Sequence, residues 1–118
     1  MADRLDAMLQ FNTSALLLRS ERQALLSANI ANADTPHYKA VDFDFAKALN
    51  EAAQAGSRGV AAAKPPTLYR QPAQASLDGN SVEMDAERAQ FADNTVRYEA
   101  ALRFLNGQIR TLLDAIKP

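Results

Sequence analysis

The stretch VEMDAERAQFADNTVRYEAALRFLNGQIRTLLDAI, Val82 to Ile116, decides the fold. Taken every three or four residues, it gives Met84, Arg88, Phe91, Thr95, Tyr98, Leu102, Leu105, Ile109, Leu112 and Ile116. That alternation is the heptad seam of a long helix, and from Tyr98 onward it is apolar without a break. No proline interrupts it, and at about 1.5 Å per residue it extends to about 50 Å. A stripe of that length cannot be covered within a small globule, so the helix needs a partner helix.

The other end of the chain supplies one. Asp3 is the expected N-cap, with Asp6 in a first turn that the helix dipole favours. The seam then runs Leu5, Leu9, Asn12, Leu16, Arg19, Gln23, Leu26 and Ile30. Beside it lies a second stripe of Met8, Phe11, Ala15, Leu18, Arg22, Leu25 and Asn29, which makes the apolar face broader than a two-stranded coil requires. Asn12, Arg19 and Gln23 break the first seam. They read either as positions that set register and partner or as exposed sites on an imperfect face. The helix is expected to stop near Ala31 or Asn32, because Pro36 disfavours helical geometry at Thr35 and Asn29, Asn32 and Asp34 can satisfy loose backbone groups.

Between the two helices the chain changes character. Val41 to Ala55 has room for one short helix, capped by Asp42 or Asp44, with Phe43, Phe45 and Leu49 as apolar contacts and Gly56 to Gly59 as its end. Val60 to Ser76 carries Pro65, Pro66 and Pro72 among alanines and reads as an extended linker. Asp78-Gly79-Asn80 is a turn signal without strand-like flanks. Asn80 and Glu83 fit a helix start, and Glu83, Asp85 and Glu87 then sit where the dipole favours acids. Gly107, inside the long helix, costs about 1 kcal/mol relative to alanine. Close approach of another helix and simple tolerance both account for it.

The expected fold is therefore all-α. Long N- and C-terminal helices pair as an antiparallel, coiled-coil-like hairpin, with an irregular Pro/Ala-rich middle that holds one short helix. The chain divides at 1–36, 37–80 and 81–118. Its 118 residues are 47% apolar and carry a net charge of −1, with basic residues interleaved among acids, which argues against a nucleic-acid partner. There is no cysteine, so thiolate metal sites and disulfides do not arise. The first residues have no basic region followed by an apolar run, so no cleavable signal is expected, and no apolar stretch reaches membrane-spanning length. On composition alone, a soluble cytoplasmic protein is expected.

Chemistry finds little to work with. The single histidine, His37, follows Pro36 in a turn with no nucleophile pattern beside it, and reads as a solvated turn residue rather than a general base. Asp42 and Asp44 lack the further oxygen ligands that a hard cation needs. The glycines form no phosphate cradle, and Tyr38 and Tyr69 do not make a stacking groove. No catalytic residue, metal or cofactor is expected. The residues favour a structural or interaction protein over an enzyme.

Ser27 to Lys39 reads SANIANADTPHYK. It closely resembles the N-terminal signature of the bacterial flagellar axial proteins, which build the rod, hook and hook–filament junction. Ala28, Asn29, Ile30, Ala31, Asn32, Thr35, Pro36 and Tyr38 fit the family pattern. His37 stands where the family usually has glycine, a position that implies left-handed backbone. Ser76 to Asn94 (SLDGNSVEMDAERAQFADN) and the opening segments LDAMLQF and LRSERQALLSANIANADTP are similar to the proximal rod members of the FlgB type. The resemblance covers both ends of the chain and leaves the proline-rich middle out.

The resemblance implies a proximal rod subunit, at the base of the drive shaft that joins the membrane ring to the distal rod and hook. It implies export by the flagellar type III apparatus without signal cleavage and assembly in the periplasmic space, which replaces the cytoplasmic expectation. The implied partners are copies of itself, other rod subunits, the ring adaptor, the membrane ring and the export gate. Leu9, Leu16, Leu26, Ile30, Leu102, Leu105, Ile109, Leu112 and Ile116 are the expected subunit-packing residues. Asn29, Asn32, Thr35, Pro36 and Tyr38 are the expected signature turn, with Pro36 and Tyr38 fixing a turn that contacts an adjacent subunit. Termini disordered before assembly are expected. The rival reading is a soluble helical-hairpin adaptor or homo-oligomeric coiled coil unrelated to flagella, and it would be distinguished by a stable helical dimer in solution.

Overall fold

Two helices of 30 and 33 residues run antiparallel and set the length of the molecule, which measures 66 × 24 × 18 Å. The structure is a computed structural model that describes residues 2–55, 65–74 and 76–117. In chain order its elements are α1 (Ala2–Ala31), β1 (Val41–Asp42), α2 (Phe45–Ala55), β2 (Leu68–Tyr69) and α3 (Met84–Ile116). The all-α hairpin is as expected. The β1–β2 pair is an addition: Val41 lies opposite Tyr69 and Asp42 opposite Leu68 in an antiparallel ladder. Two residues per strand are too few for an alternating pattern to register in sequence.

α1 ends at Ala31, in the place that Pro36 and the asparagines dictate. It starts at Ala2, ahead of the Asp3 expected as its cap. α2 begins at Phe45 because Asp44 caps it, its Oδ1 accepting from the Lys47 N–H at 3.1 Å. Asp42 serves elsewhere. α3 starts at Met84 rather than directly after Asn80. Glu83 is its N-cap, and Asn80 stands ahead of it, with Oδ1 accepting from the Val82 N–H at 2.7 Å and Nδ2 donating to the end of α1. The expected helix end at 56–59 and the linker from 60 to 64 lie outside the described residues.

The seam between α1 and α3 differs from the apolar reading of α3. Met84, Phe91, Tyr98, Leu105 and Leu112 do line its half-buried side. The alternate positions are Glu87, Asn94, Ala101 and Gln108, with Glu87 and Asn94 fully buried. Arg88, Leu102, Ile109 and Ile116 stand one residue further round and are exposed, with Thr95 half-buried. Polar seam positions on α3 are met by polar positions on α1. Asn12 donates to Gln108 at 2.5 Å, Gln23 donates to Thr95 at 2.7 Å, and Asn94 donates to the Arg19 carbonyl at 2.9 Å and to Gln23 at 2.7 Å. The breaks at Asn12, Arg19 and Gln23 are thus register contacts across the hairpin.

The buried core lies toward one end. Leu18, Phe43 and Ala48 form its centre, with Leu25, Phe45 and Leu49 packed against them. The second stripe of α1 is therefore covered by α2 over Leu18 and Leu25, while Met8 and Phe11 remain 47% and 42% exposed. Full burial of Leu18 and Leu26 contributes about 1.5–3 kcal/mol each. Among the described residues, nothing before Ser14 in α1 or after Asn94 in α3 is buried. The hairpin has a cored closed end and an uncovered open end.

Candidate assembly surface

At the closed end, side-chain amides take over work that backbone would otherwise do. Asn29 is fully buried, and its Nδ2 donates to the Val41 carbonyl at 2.8 Å and to Glu87 Oε2 at 3.1 Å. Its Oδ1 accepts from the Val41 N–H at 3.0 Å and from the Tyr38 hydroxyl at 3.2 Å. Both donors and both acceptor sites of the amide are used, and it closes the outer edge of β1 as a third strand would. Asn80 does the same for the end of α1. Its Nδ2 lies 2.7–2.9 Å from the carbonyls of Asn32, Ala33 and Thr35, which satisfies groups a helix end leaves open.

The signature turn is built on these two amides. Asn32 Nδ2 donates to the Ala28 carbonyl at 2.8 Å, and the Thr35 hydroxyl donates to Asn32 Oδ1 at 3.1 Å. Pro36 is exposed and Tyr38 half-buried. His37 adopts φ +63°, the left-handed conformation that glycine takes more readily. Its N–H donates to the Asp78 carbonyl at 2.9 Å, and its ring lies against Gly79, itself at φ +76°. A β-carbon on Gly79 would stand 2.7 Å from His37 Nδ1, so the glycine is required by both backbone and space. The Ser76 hydroxyl, the Asn80 N–H and the nearby His37 hold the Asp78 carboxyl below its ordinary pKa. Lys39 Nζ donates to the Gly79 carbonyl and closes the turn from the far side.

Beneath the turn lies a balanced set of four charges. Arg22 makes a two-pronged contact with Asp42 at 3.1 and 3.0 Å and also donates to Gln90 at 3.0 Å. Arg70, delivered by β2, reaches Asp42 Oδ2 at 2.6 Å and Glu87 Oε1 at 2.8 Å. The second contact is off the N–H axis, so neither Arg70 Nε nor Glu87 Oε1 has a hydrogen-bond partner there. Glu87, expected among the acids that the helix dipole favours in the first turns, is fully buried and ties β2 to the hairpin. Arg19 adds a cation–π contact, 3.7 Å above the Phe45 ring.

The open end presents apolar surface instead. On one flank of α3 stand Leu102, Ile109 and Leu113, at 37%, 43% and 52% exposed, with Ile116 at 78% beyond them. On the other flank, Phe104 at 60% exposed borders a groove of about 510 Å³. Met8, Leu9, Gly107 and Leu112 also line it.

Residues 9–39, which hold the α1 seam from Leu9 onward and the whole signature turn, match the family model described as "Flagella basal body rod protein". The match to individual relatives is longer. The chain is 45% identical over 135 aligned residues to the flagellar basal body rod protein FlgB of Escherichia coli K12, covering 99% of this chain and 98% of that protein. The FlgB of Salmonella typhimurium LT2 is 42% identical with the same coverage. That of Cereibacter sphaeroides is 47% identical over 116 residues, covering 90% of this chain and 91% of the relative.

The chain belongs to the flagellar basal-body rod protein family.

That family is a structural component of the basal body and not an enzyme. In this rod-family chain the sequence-derived packing residues fall into two groups. Leu9, Leu16, Ile30, Leu105 and Leu112 are half-buried, and Leu26 is completely covered within the chain. Leu102, Ile109 and Ile116 look outward, together with Phe104 and Leu113, which the seam reading of α3 left aside, and Met8 of the second α1 stripe. Arg22, Asp42, Arg70 and Glu87 were not visible as a set, because no local spacing joins them, and the seam contacts of Asn94 were not read either. The available signal was the run of polar breaks on α1, which has its antiparallel counterpart on α3. No helix among the described residues is long and apolar enough to cross a membrane.

Proposed function

We propose that this rod-family chain is a structural subunit of the proximal rod, the drive-shaft base between the membrane ring with its export gate and the distal rod. The closed end is the folded anchor of each subunit, and the open end is the part that polymerises. One observation carries this reading: seven of the twelve large apolar side chains exposed among the described residues, Met8, Phe11, Leu102, Phe104, Ile109, Leu113 and Ile116, stand at the end of the hairpin that has no buried core. Exposed apolar surface concentrated in this way marks a contact surface.

Within this reading, residues 1–36 and 81–118 are the axial segments, and 37–80 is the piece that locks them together. The neighbours are copies of the chain and other rod subunits, with the ring adaptor, membrane ring and export gate at the base. The chain reaches the periplasmic space through the flagellar type III apparatus with its N-terminus uncleaved. Pro36, exposed at the tip of the signature turn, is the point at which that turn touches an adjacent subunit. Family membership supports each of these placements.

The test is to delete the gene, restore it with a tagged copy, and purify basal bodies from swimming cells. The tagged chain is expected in the rod fraction with its N-terminal peptide intact. Swimming cells whose basal bodies lack the chain would overturn the proposal.

A further inference from the structure

Gly107 lies well inside α3, where glycine costs about 1 kcal/mol relative to alanine. Nothing within its own chain requires it, since a β-carbon built there would meet no atom within 4 Å. The open space above it is the 510 Å³ groove between the open ends of α1 and α3. On the opposite flank of the same turns of α3, Leu102, Ile109 and Leu113 form an apolar ridge.

We infer that the Leu102–Ile109–Leu113 ridge of one copy seats in the Gly107 groove of a second copy of this chain, with Gly107 as the notch that admits it. This rests on the rod-subunit reading and names the surface by which two copies meet. Two observations favour a second copy as the occupant. Ridge and groove sit on one helix at one axial level, so two parallel copies set side by side bring them together without a shift. They lie on opposite flanks, which makes the contact heterologous and able to repeat without closing. The missing β-carbon lets the ridge side chains approach the backbone of α3 directly, as small residues do at close helix crossings.

A photo-crosslinking amino acid at Ile109, introduced into the full chain in a deletion strain, tests this in assembled rods. Crosslinks are expected from Ile109 of one copy to the peptide spanning residues 103–112 of another. Crosslinks to a different rod subunit, or to another segment of the same chain, overturn the inference. Two variants give an independent reading. Gly107→Ala is expected to keep or raise the helical signal of the purified chain, and Gly107→Leu to keep that signal while abolishing swimming. Wild-type swimming by Gly107→Leu overturns the notch. Absence of the wild-type chain from basal bodies would sink the rod reading instead, so the two failures are distinguishable.

Discussion

Glu87→Ala probes the least expected feature of the closed end. The native carboxylate is fully buried, accepts from Asn29 at 3.1 Å and lies 2.8 Å from Arg70. Removing it leaves Arg22 and Arg70 sharing the single carboxylate of Asp42, with an uncompensated positive charge at side-chain exposures of 15–24%. It also strips Asn29 Nδ2 of one of its two acceptors. Breaking one partner of a buried ion pair costs about 3–5 kcal/mol, and the partial exposure of Arg70 places this case near the lower figure, about 3 kcal/mol. Glu87→Gln keeps an acceptor for Asn29 but turns an amide NH2 toward Arg70, so it should still cost about 1.5 kcal/mol, less than the alanine change because one acceptor remains. The double variant Arg70→Met/Glu87→Met removes one charge of each sign and leaves Arg22 with Asp42. It should therefore recover at least about 2 kcal/mol relative to the sum of the two single changes. Urea unfolding followed by far-ultraviolet circular dichroism measures these three variants together with the single Arg70→Met and Glu87→Met changes. A loss below about 1 kcal/mol for Glu87→Ala, or strict additivity in the double variant, would refute the network as a stabilising unit.

Other consequences are as direct. His37→Gly should stabilise the signature turn by up to about 1 kcal/mol, because glycine adopts the φ +63° backbone without the side-chain penalty. Gly79→Ala should destabilise it, and His37→Gly should restore part of that loss by removing the ring 2.7 Å away; unfolding midpoints of the two singles and the double decide this. Leu105→Asp, on the half-buried side of α3, should lower the helical signal of the purified chain, whereas Ile109→Asp should leave that signal intact and block rod incorporation. Equal behaviour of the two would contradict the division of α3 into an inner and an outer face. The Asp78 carboxyl has a folded-state pKa below its unfolded value, so its contribution to the turn is present above the unfolded pKa and lost as pH falls through the folded one. An NMR titration of the Asp78 carboxyl should therefore show its midpoint below that of a free aspartate, and substituting Ser76 with alanine should raise it.

The hairpin was legible because both long helices announce themselves by a three–four alternation, and the end of α1 by Pro36 and its asparagines. The facing of α3 was only half legible. Reading the most apolar positions as the inward ones selects Leu102, Ile109 and Ile116, yet the chain turns these outward and places Glu87, Asn94, Ala101 and Gln108 against α1. Hydrophobic pattern reports which residues leave water and not which molecule covers them. In a chain built into a larger assembly, the two answers separate. The polar seam residues could be matched only by pairing the two helices antiparallel. The signature turn was legible through its family pattern, including the left-handed position that His37 occupies. The four-charge set was not, since its members meet only after β1, β2 and both helices are in place.

The account stands on a difference between the two ends of one hairpin. Hydrogen exchange on the purified chain, repeated on intact basal bodies, measures that difference most directly. Amides around Leu18, Leu26 and Asn29 should be protected in both samples. Those of α1 before Ser14 and of α3 beyond Asn94 should exchange rapidly in the free chain and slowly in the rod. Uniform protection along both helices of the free chain, unchanged by assembly, would contradict it.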